Sequence, residues 1–394
     1  MHDVIVVGSG ISGLSFAHYC AERGLDVLVL EERPTAGGCI QSWRQPEGFW
    51  TELGAHTCYN SYAATIGILE ARGAMGKLLP RDKQARFRLL VGDRVVPFYK
   101  ELHWGELLLS APRALFMKKT GRTVRQYYEP IVGRRNYRDV MAPMFTAVPS
   151  QPADDFPADM IFKTRARRQD VLRSFTLDGG LSTLIDVMAA TPRVSVRTGA
   201  SVTAVERQGE VFTVRVAGAD PERARFVALA TPPTAAARLA AAVVPAAAAL
   251  LSRMSTATVD TLGVVAEAAA VKVAKAAGII PVDGRFHSLV TRDTVPDPRF
   301  RGFALHDKPG TSLDDRQRQA ASVLGIDPSR LDRVTRRQVE LTSPRLGHHE
   351  LARDLVAALA GTPLFVTGNY FAGLSLEDCV LRSRDEAERL TALR

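Results

Sequence analysis

The string Gly8-Ser9-Gly10-Ile11-Ser12-Gly13 is the part of this chain best suited to chemistry. It is a G-x-G-x-x-G pattern behind an apolar run at 4–7 and ahead of a helically spaced stretch at 11–23, which Gly24 closes as a C-cap. Gly8 permits a tight turn, Gly10 lets a pyrophosphate approach the backbone, and Gly13 lets helix pack closely on strand. The helix opening at Ile11 and Ser12 offers free N–H groups and a partial positive charge to phosphate. A second apolar run at 27–30 ends at Glu31, followed by Glu32, near the ~20-residue spacing at which a carboxylate reaches ribose hydroxyls. Strand, helix, strand and acid in register make a dinucleotide-binding unit, and both NAD and FAD satisfy it.

Further constellations follow: Gly37-Gly38-Cys39 in EERPTAGGCIQSW, then Glu52-Leu53-Gly54-Ala55, and near the end FVTGNYFAGLSLEDCV. Together with the first motif they resemble the flavin-containing amine oxidase superfamily, and within it most closely the protoporphyrinogen oxidase family. The resemblance is carried by Gly37, Gly38, Ile40 and Ser42, by Arg86-Phe87 with the Gly92-Asp93 turn, by residues 175–184, and by the ending from Gly368 to Cys379. It implies FAD, with contacts from Gly37, Gly38, Cys39, Gly54, Ala55, Gly368, Asn369, Leu374, Ser375 and Leu376. Within the closely resembling stretch 175–232 it implies Val202 and Thr231 as well. The S-G-G-C-Y string of covalently flavinylated relatives is absent, so non-covalent FAD is expected. Cys39 stands where many superfamily members carry an Arg, and the chain is shorter than most relatives in its second insertion.

The ending also has a physical reading. Hydride transfer to flavin N5 builds negative charge near N1 and O2, and a helix N-terminus near Ser375 could face it with the amides of Leu376 and Glu377. The resemblance implies desaturation of a porphyrinogen to a porphyrin, with dioxygen reoxidising the flavin to give hydrogen peroxide. No protein acid or base is expected. Arg86 matches the family Arg that meets a substrate propionate, and a guanidinium can grip a carboxylate bidentately. Rival expectations on the same scaffold are an amine oxidase, a carotenoid-type desaturase, or a flavoprotein without redox activity that serves as a binding factor.

The elements that must position these residues give an α/β fold. A Rossmann-type FAD-binding domain is expected from 1–78, 173–235 and 344–394, with an inserted α+β substrate domain from 79–172 and 236–343. Strands are expected at 194–196, 201–206, 211–216, 226–230 and 364–367, and a helix over 375–390. The Ala-rich runs 235–251 and 262–280 are interrupted by charges or proline and read as helices or strand-helix pieces rather than spans.

Formal net charge is +9 over 394 residues, which suits anionic partners. The excess is local, around 113–138 and 163–173, without a nucleic-acid-binding signature, so nucleic acid is not an expected partner. Apolar residues 107–109 and 114–117 beside Lys118 and Lys119 suggest peripheral contact with an anionic membrane. Cys20, Cys39, Cys58 and Cys379 form no C-x-x-C pair, so neither a disulfide framework nor a metal is expected. The expected setting is cytoplasmic, at most peripheral on the inner face of the cell membrane, and the opening MHDVIVVGSG shows no signal-peptide pattern. His348-His349 reads as a surface pair, Asp154-Asp155 as solvated, and Lys272 and Lys275 as surface cations.

Overall fold

The computed structural model describes residues 1–331 and 333–393. Its fold is mixed α/β, built around two seven-stranded sheets. In the first sheet, strands Val194–Arg197, Val27–Leu30, His2–Val7 and Glu222–Leu229 lie side by side and parallel. The far edge of Glu222–Leu229 is shared. Its first half pairs antiparallel with Val211–Val216, and its second half pairs parallel with Leu364–Val366. The strands His2–Val7 and Val27–Leu30 are buried on both faces, as continuous apolar runs in parallel sheets are. Helices Ile11–Ala21, Ser182–Ala189 and Leu376–Thr391 pack one apolar core against this sheet, and Pro233–Ala240, Pro245–Leu251 and His348–Leu359 the other.

The first helix ends at Ala21, two residues earlier than its spacing suggests. Gly24 takes the left-handed conformation in the turn that follows. The Ala-rich stretch 262–280 holds no α-helix and is strand at both ends: it continues Thr256–Glu267, passes a short 3-10 turn at Ala268–Ala270 and enters Gly278–Pro281. Its β-branched residues already favour a strand.

The second sheet runs in the order Arg333–Thr342, Thr256–Glu267, Phe300–Asp307, Ser288–Thr291, Gly278–Pro281, Phe87–Val91 and Arg94–Val96. Helix Leu313–Leu324 covers one face, where Ala320, Ala321 and Leu324 meet Leu262, Val264, Phe303 and Leu305. Ser312 caps this helix by accepting from the Asp315 amide, and Gly325 ends it in a left-handed turn. The other face looks toward the glycine loops of the first sheet. There Gly263 lies so close to Leu53 and Thr335 that an added methyl would collide with both.

Two cross-strand rungs of this sheet recur below. Asp260 sits opposite Gln338 on one side and Asp307 on the other, and Thr261 sits opposite Arg337 and His306. Neighbouring residues on a strand point to opposite faces, so the two rungs serve different faces of the same sheet.

Candidate functional site

The glycine loops come together as a cradle. Gly8 has φ +102° and donates its amide to the Leu30 carbonyl at 2.8 Å, which fixes the turn between the first two strands. A methyl on Gly13 would run into the Gly8 carbonyl, so this position admits only glycine. Gly10 lies against Gly38: a Cβ on Gly10 would stand 3.6 Å from the Gly38 Cα, and one on Gly38 only 2.8 Å from the Gly10 Cα. The close approach that Gly10 permits is therefore first of all that of the Gly37-Gly38 loop, which also donates to the Ser9 carbonyl at 3.1 Å. Gly54 closes on the next turn of this loop, where a side chain would strike the Cys39 carbonyl.

The helix Ile11–Ala21 starts bare. Gly10 offers no side-chain cap, and the first turn, with Ile11 and Ser12, contains no acid. Its opening amides are the groups that helix capping would otherwise satisfy. Glu31 is buried and accepts from the Ser9 amide at 2.9 Å, the Ser9 hydroxyl at 2.7 Å and the Arg33 amide at 3.0 Å. A carboxylate has about four lone-pair sites, so one remains for a ribose hydroxyl, and the mobile Ser9 hydroxyl can yield another. Thr231 lies beside Gly8, and its buried hydroxyl has no partner among the described residues. A bare helix start, an orphaned buried hydroxyl and a nearby carboxylate fit a dinucleotide.

Other expected residues are placed as follows. Glu32 and Cys39 are exposed, and Ala55 is half-buried next to Gly54. Val202 is buried with Val205 and Val216 in the core of the first sheet. Gly368 leaves no room beside the Tyr370 ring, and Asn369 accepts from the Thr342 hydroxyl at 2.7 Å. Leu374 packs toward the Phe145–Phe156 cluster. Leu376 opens the last helix, whose N-cap is Ser375.

That helix start differs from the first. Ser375 and Asp378 form a capping box, and the Asp378 carboxylate also accepts from Lys163 and Arg165 at 3.1 and 2.7 Å. Burial works against ionising Asp378, yet Ser375 and the two cations hold its carboxyl below the usual range. The helix end is thus partly closed by its own acid, and Lys163 and Arg165 restore a net positive charge beside Gly373.

Arg86 is not brought to the cradle. It is exposed, one residue before the strand Phe87–Val91. Alternation gives it the parity of Leu90, which joins the same apolar core as helix Leu313–Leu324, whereas Phe87 and Leu89 point the other way.

Several residues in the cleft where the second sheet's face meets the glycine loops carry no sequence motif. His56 follows Ala55 directly, and its Nε2 lies 3.2 Å from Nε2 of His306, whose Nδ1 meets the Thr261 hydroxyl at 2.9 Å. Burial, with His306 and Arg81 nearby, holds the His56 imidazole well below its ordinary value, and burial brings His306 down to about 4. Both rings are neutral at pH 7 and share a single hydrogen between the two Nε2 atoms, an arrangement able to pass a proton. Glu52 accepts from Ser42 and the Leu181 amide, both at 2.8 Å, and burial pushes it up to about 7.

Three weaker expectations resolve as well. His348 is not on the surface: it is buried with Nε2 at 2.9 Å from the Tyr370 carbonyl, while exposed His349 meets Asp159. Asp154 is tied to Arg125 and to the Tyr137 hydroxyl rather than free in solvent. Lys272 and Lys275 are exposed. Among the described residues no His/Cys/Asp/Glu cluster could hold a metal ion.

Comparison with known proteins agrees with this architecture. A family model for flavin containing amine oxidoreductases matches residues 11–270. Over 87 residues the chain is 42% identical to a 15-cis-phytoene desaturase of Narcissus pseudonarcissus, a match covering 22% of this chain and 15% of that protein. The chain thus spans about 15% of the length of the curated relatives it first matches. Among solved structures it superposes on a provisionally assigned protoporphyrinogen oxidase of Exiguobacterium sp. 255-15 with a TM-score of 0.78 at 16% identity, covering 100% of this chain and 99% of that one. A redesigned putrescine oxidase gives 0.74 at 17% identity, over 99% of each chain. These two likenesses concern the fold.

Proposed function

The chain belongs to the flavin-containing amine oxidoreductase family, and we propose that it is an oxidase that holds FAD non-covalently and desaturates a porphyrinogen to a porphyrin, with dioxygen as final acceptor. The observation that carries the cofactor half is the interlock of Gly10 with Gly38 beneath a helix start without a cap. FAD, when bound, supplies the two-electron acceptor. The chain's own residues would bind and orient it: the Ile11 and Ser12 amides would hold the phosphates and Glu31 a ribose, and Gly368 and Gly373 would let backbone approach the ring system. The substrate half is supported by the family resemblance of residues 175–184 and 368–379 and by the full-length likeness to the Exiguobacterium protein. Exposure of Lys272 and Lys275 leaves the amine reading without a buried lysine from that stretch.

Purified protein should be yellow and release FAD on denaturation. Anaerobic addition of protoporphyrinogen or coproporphyrinogen should bleach the flavin, and air should restore it with peroxide formed. Bleaching by a primary amine but by neither porphyrinogen would overturn the substrate; a colourless protein would overturn the cofactor.

A membrane contact is part of the same proposal. Trp104, Leu108, Leu109, Leu115 and Phe116 are exposed, the last three at 82–85% for Leu109, Leu115 and Phe116, with Arg113 and Lys118 beside them. Contiguous exposed apolar residues flanked by cations suit an anionic lipid surface. Among the described residues no helix is long and apolar enough to cross a membrane. Co-sedimentation with anionic vesicles is expected, weakening as salt rises. Equal binding to neutral vesicles, or none at low salt, would remove this contact.

A further inference from the structure

Arg337 belongs to the second sheet, in the strand Arg333–Thr342, yet its guanidinium reaches across to the first. Nη2 donates to the Gly38 carbonyl, in the loop that packs on Gly10. Nη1 of the same group is buried and, among the described residues, meets no acceptor. The ionisable groups that act on it are the Cys39 thiol and a second cation, Arg33. Among the described residues no carboxylate pairs with it, whereas buried Arg301 meets Asp293, buried Arg316 meets Asp260, and Arg382 meets Glu386. Burial lowers Arg337 to about 10, which still leaves it charged at neutral pH. A partly desolvated cation without an anion is unfavourable. Here it stands two residues along the chain contacts from the uncapped helix start: Arg337 to Gly38, Gly38 to Gly10.

We propose that Arg337 supplies the cation for the diphosphate of the bound dinucleotide, facing it from the second sheet while the amides of Ile11 and Ser12 face it from the first. A guanidinium presents paired N–H donors that match phosphate oxygens. Gly38 uses one edge of the group and fixes its orientation, and the unpartnered Nη1 is left for the anion. The residue thereby joins the two sheets through the cofactor. This assignment rests on the dinucleotide reading of the glycine loops.

Arg337→Gln keeps a donor for the Gly38 carbonyl and removes the charge. Its holoprotein should release FAD about ten- to a hundredfold faster on dilution, read as the rise of free-flavin fluorescence. The phosphorus resonances of bound FAD should move, while the visible flavin band stays in place. Arg337→Lys, which keeps a point charge, should fall between the variant and the parent. An unchanged release rate would overturn the assignment. So would faster release with unmoved phosphorus resonances, or a Lys variant as poor as the Gln variant. If Arg337→Gln is isolated without flavin, the Lys variant decides alone: retained FAD supports the charge, and none overturns it. A parent protein that binds no dinucleotide fails the underlying reading instead, and is recognised before any variant is made.

Discussion

The two faces of the second sheet treat buried charge in opposite ways. On the face beneath helix Leu313–Leu324, Arg316 is fully buried and meets Asp260, with Asp307 at 3.7 Å, and Gln338 donates to Asp260 at 3.0 Å. One residue along each strand, the rung of Thr261, His306 and Arg337 turns the other way, and among the described residues no carboxylate pairs with it. Its imidazole is neutral, and its guanidinium is half satisfied by a backbone carbonyl. Charge that holds the protein together is neutralised within the chain, and the cation facing the cleft is left without an anion. Strand parity alone separates the two.

The largest expected effect tests the closed face. Arg316→Ala would leave Asp260 and Asp307 buried together, and about 3–5 kcal/mol of stability should be lost. Chemical denaturation measures it, and the flavin spectrum of the folded protein should not change. A loss below ~1 kcal/mol would mean that the two faces do not differ in this way.

A smaller effect concerns the cleft face. His306 is depressed to about 4 in the folded protein, against ~6.5 when unfolded. Below pH ~6.5 the unfolded chain takes up a proton that the folded one refuses. Stability from this group is therefore complete above ~6.5 and is lost as pH falls toward 4, by at most about 3 kcal/mol. Glu52 works in the opposite sense: its raised value of about 7 gives stability that is present below the unfolded value and fades as pH rises through 7. His306→Gln should flatten the dependence of Tm on pH between 4 and 6.5. Parallel curves for parent and variant would show that the ring is not held neutral by burial.

The first sheet's cradle is legible in the sequence because its requirements fall on backbone. Gly8, Gly13 and Gly38 each sit where a single added carbon would collide, so residue type and spacing report the contact directly. The α/β class follows from the same runs. The cleft face of the second sheet is not legible. Arg337, His306 and His56 lie far apart in the chain, and their meeting depends on register, which no local spacing reveals. Arg337 is also one of several arginines in its strand, and only parity distinguishes it from Arg336. Arg86 shows the reverse case. A short string marks it clearly, while the strand that follows gives it the parity of the helix-covered face. His348 was masked by its exposed neighbour, since a buried ring bonded to a distant carbonyl leaves no trace in composition.

The order of strands in the first sheet also bears on how the chain is made. His2–Val7 lies at the centre, flanked by Val27–Leu30, which is synthesised soon after it, and by Glu222–Leu229, which is not. The remaining stretch of that edge waits for Leu364–Val366, which follows far later in the chain. A nascent chain therefore carries an apolar strand with an unpaired edge until these distant partners have been made. Long-range parallel pairing is slow to form and exposed to aggregation until it does, so this sheet cannot close until the chain has been made as far as Val366.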